Sequence, residues 1–183
     1  MNKTFYTSDH HFFHENIINL CNRPFKDLSE MNQFMIDSWN SVVAPIDNVI
    51  YGGDLVLGSS RHYKEKVKDL LLQLNGVKFL VRGNHDRSRK VMLKLGFIDV
   101  YPFTYLTDSS VNIFIVHNLM RNFDQYQSYI EVADVVLYGH AHNKVYDDSR
   151  IKDNKKFINI SVENLDYLPY TILQLIGKSN AKI

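Results

Sequence analysis

Asn48-Val49-Ile50-Tyr51-Gly52-Gly53-Asp54 is a short apolar, β-branched run that ends on two glycines and a carboxylate. Four other stretches share that design. Phe5 to Ser8 runs into Asp9-His10-His11, Lys78 to Arg82 into Gly83-Asn84-His85-Asp86, Asn112 to Val116 into His117, and Val135 to Tyr138 into Gly139-His140-Ala141-His142. Side chains able to ligate a metal thus gather at the C-terminal ends of strand-like runs, where layered α/β sheets present their binding crevices.

Working outward, strands are expected at Thr4 to Ser8, Asn48 to Tyr51, Val77 to Arg82, Val111 to Val116, Val135 to Tyr138, Phe157 to Ile160 and Tyr170 to Ile176. Helical periods fall between several of them. Asp27 and Glu30 have capping-box spacing, and Leu28, Met31, Met35, Trp39 and Val42 return to one face before Pro45 ends the helix. A second helix runs from about His62 to Leu74, buries Tyr63, Val67, Leu70, Leu71 and Leu74, and stops at Asn75-Gly76. A third spans Ser88 to Leu95 and stops at Gly96. Strands alternating with helices indicate a layered α/β fold.

With 183 residues, 45% of them apolar, the chain suits one domain over residues 1–183. No repeat, linker or low-complexity segment divides it. The balance of 21 basic against 20 acidic residues gives no electrostatic case for long-range capture of nucleic acid or an anionic membrane, although a local basic patch stays open. No run approaches the roughly 20 apolar residues that span a bilayer, and the first residues lack a signal-peptide core, so a soluble, cytoplasmic protein is expected. The lone Cys21 excludes an internal disulfide and a cysteine-rich metal site, which leaves oxygen and nitrogen ligands; eight histidines supply the latter.

Each strand-end motif is weak alone, because strands commonly end on polar residues. Their joint, ordered occurrence is specific. D-x-H, G-D, G-N-H-D, H and G-H-x-H stand at Asp9 to His11, Gly53-Asp54, Gly83 to Asp86, His117 and Gly139 to His142. An extended backbone in Asp-x-His and His-Ala-His would point the outer side chains to one face and turn His10 and Ala141 away. With these five blocks in order, the chain resembles the calcineurin-like metallophosphoesterase superfamily. The Asn22-Arg23-Pro24-Phe25 stretch and the segment from Asn159 to Tyr170 are similar to a group of small bacterial and phage phosphoesterases within it.

The resemblance implies a four-layer αββα sandwich of two mixed sheets flanked by helices, with a dinuclear metal centre at the strand ends. It assigns Asp9, His11, Asp54 and His142 to one divalent ion and Asp54, Asn84, His117 and His140 to the other, with Asp54 as the bridge. Two such cations, about 3.5–4 Å apart, neutralise phosphoryl oxygens and acidify a bridging water, so the implied reaction is hydrolysis by attack of that hydroxide on phosphorus. Their mixed carboxylate, amide and imidazole donors suit manganese, iron, zinc and nickel alike, and availability in the cell decides as much as affinity; manganese is the expected ion, with the other three as alternatives. The same resemblance implies that His85 faces the substrate as acid or transition-state stabiliser and that Asp86 orients it or fixes the local turn, where Asp86 read by itself would be a carboxylate at a helix start. In the superfamily a histidine at the position of His11 accompanies phosphodiesterase ability, so diesters are expected before monoesters. A metal-binding interaction scaffold and a single-metal hydrolase of another bond are the other classes considered.

Outside the pattern, His14 either overhangs the site and contacts substrate or starts a helix, and Arg23 is expected to grip substrate phosphate through its bidentate fork. His10 is expected behind the sheet end and His62 at an exposed helix start, while Arg61, Arg82, Arg87 and Arg121 read as surface residues. Phe12, Phe13 and Phe25 form either an apolar wall for a nucleobase or core. The expected partner is a small phosphorylated substrate, a nucleotide among the options, with nucleic acid left open and no membrane.

Overall fold

The computed structural model describes residues 2–57, 62–144, 146, 148–151, 154 and 156–181. Arg61 lies outside the described residues. Strands β1 (Thr4–Thr7), β2 (Asn48–Tyr51), β3 (Val77–Val81) and β4 (Asp99–Tyr101) form a parallel sheet in the order β4-β3-β2-β1, and β9 (Tyr170–Thr171) adds antiparallel to β1. A second sheet runs β5 (Phe103–Asp108), β6 (Val111–Val116), β7 (Val135–Tyr138) and β8 (Phe157–Asn159), with β5 antiparallel to β6 and the rest parallel.

Alternation along the strands divides the apolar residues into three layers. Phe5, Val49, Tyr51 and Leu80 face outward onto Met31, Met35 and Trp39 of α2 (Leu28–Val42), Val67, Leu70 and Leu71 of α3 (Tyr63–Gln73), and Met92 and Leu95 of α4 (Arg89–Leu95). Tyr6 and Val81 instead meet Ile113, Ile115, Leu137 and Ile158 between the sheets, together with Ile172 and Leu175 of α6 (Ile172–Ala181). Phe114, Val116, Val136 and Tyr138 pack outward onto Leu119 and Ile130, the latter from α5 (Gln127–Val132). Three apolar layers require four layers of elements, helix, sheet, sheet, helix.

The helix signals act locally as expected. Asp27 accepts the Glu30 N–H at 2.9 Å, although the Glu30 carboxylate returns to the N–H of Lys26, one residue outside the cap. Val42 differs from expectation: it is exposed, and Val43 occupies the buried position after the helix. Gly76, with φ of 91°, turns the chain from α3 into β3.

The expected strand from Tyr170 to Ile176 is corrected. Only two residues pair with β1 before the chain turns into α6. Ile172, Leu175 and Ile176 return at helical spacing, and Gln174 accepts the Thr171 N–H at 2.9 Å, the return bond of a Thr-x-x-Gln capping box. Strands β4 and β5, which the apolar pattern left unassigned, are separated only by Pro102 and lie in different sheets. Among the described residues no helix is long and apolar enough to cross a membrane.

Candidate metal centre

The five strand ends converge, β1, β2 and β3 from the first sheet and β6 and β7 from the second. Beyond β1 and β2 the chains continue side by side: Asp9, His11 and Phe12 donate their N–H groups to the carbonyls of Gly53, Asp54 and Leu55 at 2.9, 3.1 and 2.9 Å. The extended backbone expected for the two ligand-x-ligand motifs is corrected here. Asp9 (φ 61°) and His11 (φ 50°) are left-handed, as are His140 (φ 68°), His142 (φ 52°) and Asp54 (φ 59°). Each such residue costs on the order of 1–3 kcal/mol, and the hydrogen bonds of the paired loops hold it in place. The middle residues still turn away: His10 stacks on Phe12 with ring centroids 5.2 Å apart and pairs with the Tyr51 hydroxyl at 3.0 Å, and Ala141 joins the outer layer.

The outer side chains form two groups. Ligand atoms of Asp9, His11 and His142 lie within 4.8 Å of one another, as do those of Asp54, His117 and His140. Asp54 Oδ2 lies between the groups, 3.1 Å from His117 Nε2 and 3.8 Å from His11 Nε2. Asn84 completes the second group, its Oδ1 3.1 Å from His117 Nε2. The motif glycines are required by this crowding. A Cβ on Gly83 would overlap the Asp54 carboxylate and stand 2.6 Å from its amide nitrogen, and one on Gly139 would overlap Asp9 and stand 2.7 Å from Ser8 Oγ.

These residues fit a divalent cation. His117 Nδ1 sits 2.8 Å from the carbonyl oxygen of Gly52, which only accepts, so Nδ1 carries the hydrogen and the Nε2 lone pair faces the oxygens of Asp54 and Asn84. Three acceptors so placed need a cation or a proton among them. With a proton, burial opposes the charge but the Asp54 hydrogen bond prevails, lifting His117 to about 9. Burial likewise opposes ionisation of Asp54, yet the His117 hydrogen bond and charge hold its carboxyl at about 2. His11 lacks such relief: burial holds its imidazole down at about 3, and neither ring nitrogen has a hydrogen-bond partner. Orphaned buried nitrogens beside two carboxylates are what an intermediate, oxygen- and nitrogen-coordinated cation would satisfy.

His85 stands at the mouth, 41% exposed, its N–H donating to Asp54 Oδ1 at 2.8 Å and its ring Nε2 4.0 Å from Asp54 Oδ2. His14, half-buried, lies with its ring 6.0 Å from that of His11. Asp86 is placed by the structure as the turn-fixing group. Its Oδ2 accepts the N–H groups of Gly83 and Asp54 at 2.8 and 2.9 Å and its Oδ1 that of Leu55 at 3.3 Å, while Ser88, not Asp86, caps α4.

The substrate-gripping role expected of Arg23 is corrected. Its side chain is fully buried, with Nη2 donating to the Asp9 carbonyl at 2.8 Å, Nη1 to the His10 carbonyl at 2.7 Å, and Nε and Nη2 to Glu163 Oε1 at 3.0 and 2.7 Å. Phe12 and Phe25 are core, whereas Phe13 is half-buried with the Lys66 ammonium 5.7 Å above its ring. His62, Arg82, Arg87 and Arg121 are exposed, and the Arg87 guanidinium lies 5.0 Å over the Tyr63 ring.

Sequence reasoning missed the supporting residues. The hydroxyls of Ser8 and Ser161 donate to Asp9 Oδ2, Glu163 Oε1 lies 3.0 Å from His142 Nδ1, and the Asn159 and Asn164 amides donate to the His142 carbonyl at 2.9 and 2.7 Å. A signal existed: Asn159, Ser161 and Glu163 alternate with Ile160 and Val162 from the last residue of β8 onward, a period that points polar groups to one side.

Known proteins resemble this chain in family and in fold. The family model for calcineurin-like phosphoesterases matches residues 3–155. An uncharacterized protein of Methanocaldococcus jannaschii is 34% identical over 186 aligned positions, covering 97% of this chain and 93% of the relative. The solved structure of a protein of unknown function from Aquifex aeolicus superposes with a TM-score of 0.74 at 26% identity, covering 97% of this chain and 99% of the other. The chain belongs to the calcineurin-like phosphoesterase family.

Proposed function

We propose that the protein hydrolyses phosphodiester bonds with two divalent cations, manganese in the cell, held by Asp9, His11, Asp54 and His142 on one side and by Asp54, Asn84, His117 and His140 on the other. The observation that carries this reading is Asp54 Oδ2, set between two separate ligand groups within reach of an imidazole nitrogen from each. When bound, the cations neutralise phosphoryl oxygens and acidify a water.

The chain's own residues do the rest. Asn84 offers an uncharged amide oxygen, so its group carries less negative charge and leaves more of its cation's field for the substrate. His85 is fastened by its backbone to Asp54 while its ring stays at the solvent-facing mouth. From there, with Nε2 protonated, it donates to the leaving ester oxygen or to a phosphoryl oxygen in the transition state. His14 borders the same opening on the His11 side and is proposed to contact substrate. Diesters are favoured because His11 supplies the histidine of Asp-x-His.

The test combines metal content with turnover of a chromogenic phosphodiester and a chromogenic monoester after loading with manganese. Two equivalents of metal and faster diester hydrolysis are expected. Two metals with no hydrolysis of either ester would sink the enzyme reading, and faster monoester hydrolysis would overturn the diester preference.

A further inference from the structure

Glu163 is buried to within 5% of complete and sits behind the Asp9–His11–His142 group. Its Oε1 takes both Arg23 bonds and lies 3.0 Å from His142 Nδ1. Two further Arg23 bonds clamp the carbonyls of Asp9 and His10. One buried guanidinium–carboxylate pair thereby ties the Asp9-His10-His11 loop to the ring of a histidine from the other sheet. Glu163 reaches this position because the chain beyond β8 pairs with the end of β1, where the Ser8 N–H donates to the Ile160 carbonyl at 2.9 Å and the Val162 N–H to that of Ser8 at 3.1 Å.

We propose that Glu163, held by Arg23, is a positioning residue that fixes His142 as the Nδ1–H tautomer and presents its Nε2 to the cation shared with Asp9 and His11. The inference rests on the two-cation reading above. A carboxylate oxygen only accepts, so the hydrogen of this pair belongs to Nδ1 and the free lone pair to Nε2. A carboxylate behind a ligating imidazole also raises its basicity and locks its orientation. The second group is supported differently, since His117 donates Nδ1–H to the neutral carbonyl of Gly52. Among the described residues, a carboxylate stands behind a ligand's ring nitrogen only in the first group.

Cys21 competes for this assignment, because its sulfur lies within 4.8 Å of ligand atoms of both His142 and Glu163. A cation held by those three would need His142 Nδ1 stripped of its hydrogen. The Arg23 guanidinium, 2.7 Å from Glu163 Oε1, opposes a second positive charge there.

Cation dissociation constants from chelator competition in the unaltered protein and in Glu163→Gln test the proposal. Removing a partner of this kind weakens the first cation by about 10–100-fold, with the second site unchanged. If the unaltered protein binds no cation, the two-cation reading fails and this inference falls with it. If it binds two and Glu163→Gln binds both as tightly, the inference alone fails. The substitution strips a buried arginine of its counter-charge, so a second measurement needs no variant. In the zinc-loaded native protein, nitrogen-detected ring correlations should show His142 protonated at Nδ1; protonation at Nε2 overturns the proposal. A thiolate charge-transfer band in the cobalt-loaded protein that disappears in Cys21→Ala would overturn it as well.

Discussion

At the C-terminal ends of β1, β2 and β7 the chain leaves the sheets through left-handed Asp9, Asp54 and His140 and buries imidazole nitrogens that have no partner. At the opposite end it enters them through Asp47 and Lys78, whose polar atoms are all spoken for. Asp47 accepts the N–H groups of Lys3 and Ala44, each at 2.8 Å, and so joins the start of β1 to the chain between α2 and β2. Lys78 Nζ donates to the carbonyls of Leu74 and Gly76 beyond the last turn of α3 at 2.6 and 2.8 Å. One end stores strain and unmet bonding capacity, and the other completes ordinary turns. Native structures concentrate such local violations where function needs them. Substitutions at the first end should therefore cost activity and metal, and those at the second only stability.

The largest effect is expected from Asp54→Ala. It removes the carboxylate between the two ligand groups and the acceptor for the His85 N–H, so both metals and nearly all turnover should go. Unchanged metal content in that variant would refute the shared role. Next comes His85→Ala, with about 10²–10⁴-fold loss of turnover, the metals retained and the melting temperature hardly moved, because the ring stands exposed at the mouth of the site. A greater loss for poor leaving groups marks an acid; equal loss for good and poor ones marks electrostatic stabilisation instead. Asp86→Ala breaches the comparison from inside the site, since three buried N–H groups lose their acceptor. At about 1–3 kcal/mol for each unmet buried donor, urea unfolding should show a loss on the order of 3 kcal/mol even without metal. A metal-free stability equal to that of the native protein would count against the turn-fixing role.

The two ends also differ in how far the sequence announces them. The ligands were legible because each strand-like run ends on one, and ordered motifs survive changes in what surrounds them. The left-handed backbone was not legible: neither Asp9 nor His11 is a glycine, the residue that usually announces a positive φ. Arg23 was misread because its fork suits phosphate and carboxylate alike, and its carboxylate, Glu163, is contributed from far along the chain. Among the elements, Val111–Val116 and Val135–Tyr138 were plain from their apolar runs. Tyr170 to Ile176 reads as strand from its run of apolar residues, while the signal for the helix Ile172–Ala181 that starts there is the single Thr171–Gln174 box. Phe103–Asp108 was missed because an edge strand with one wet face interrupts its own apolar run.

The smallest effect expected is at the far end, and its sign is informative. Burial lowers Lys78 from 10.5 to about 8, so between those values the unfolded chain holds a proton that the folded chain has released. Stability then rises with pH across that window, the reverse of a lysine stabilised by a buried counter-charge. The released amine keeps two N–H groups, enough for the carbonyls of Leu74 and Gly76, so deprotonation relieves the buried charge without breaking either bond. In Lys78→Met the bonds and the pH term vanish together. The difference in unfolding free energy, native minus variant, should therefore grow in favour of the native protein as pH rises from about 8 to 10.5 and level off above. Turnover, measured at the opposite end, should be unaffected. A difference that stays flat across the window would mean that the two carbonyls hold the ammonium as well as water does, and that the far end carries no buried-charge penalty.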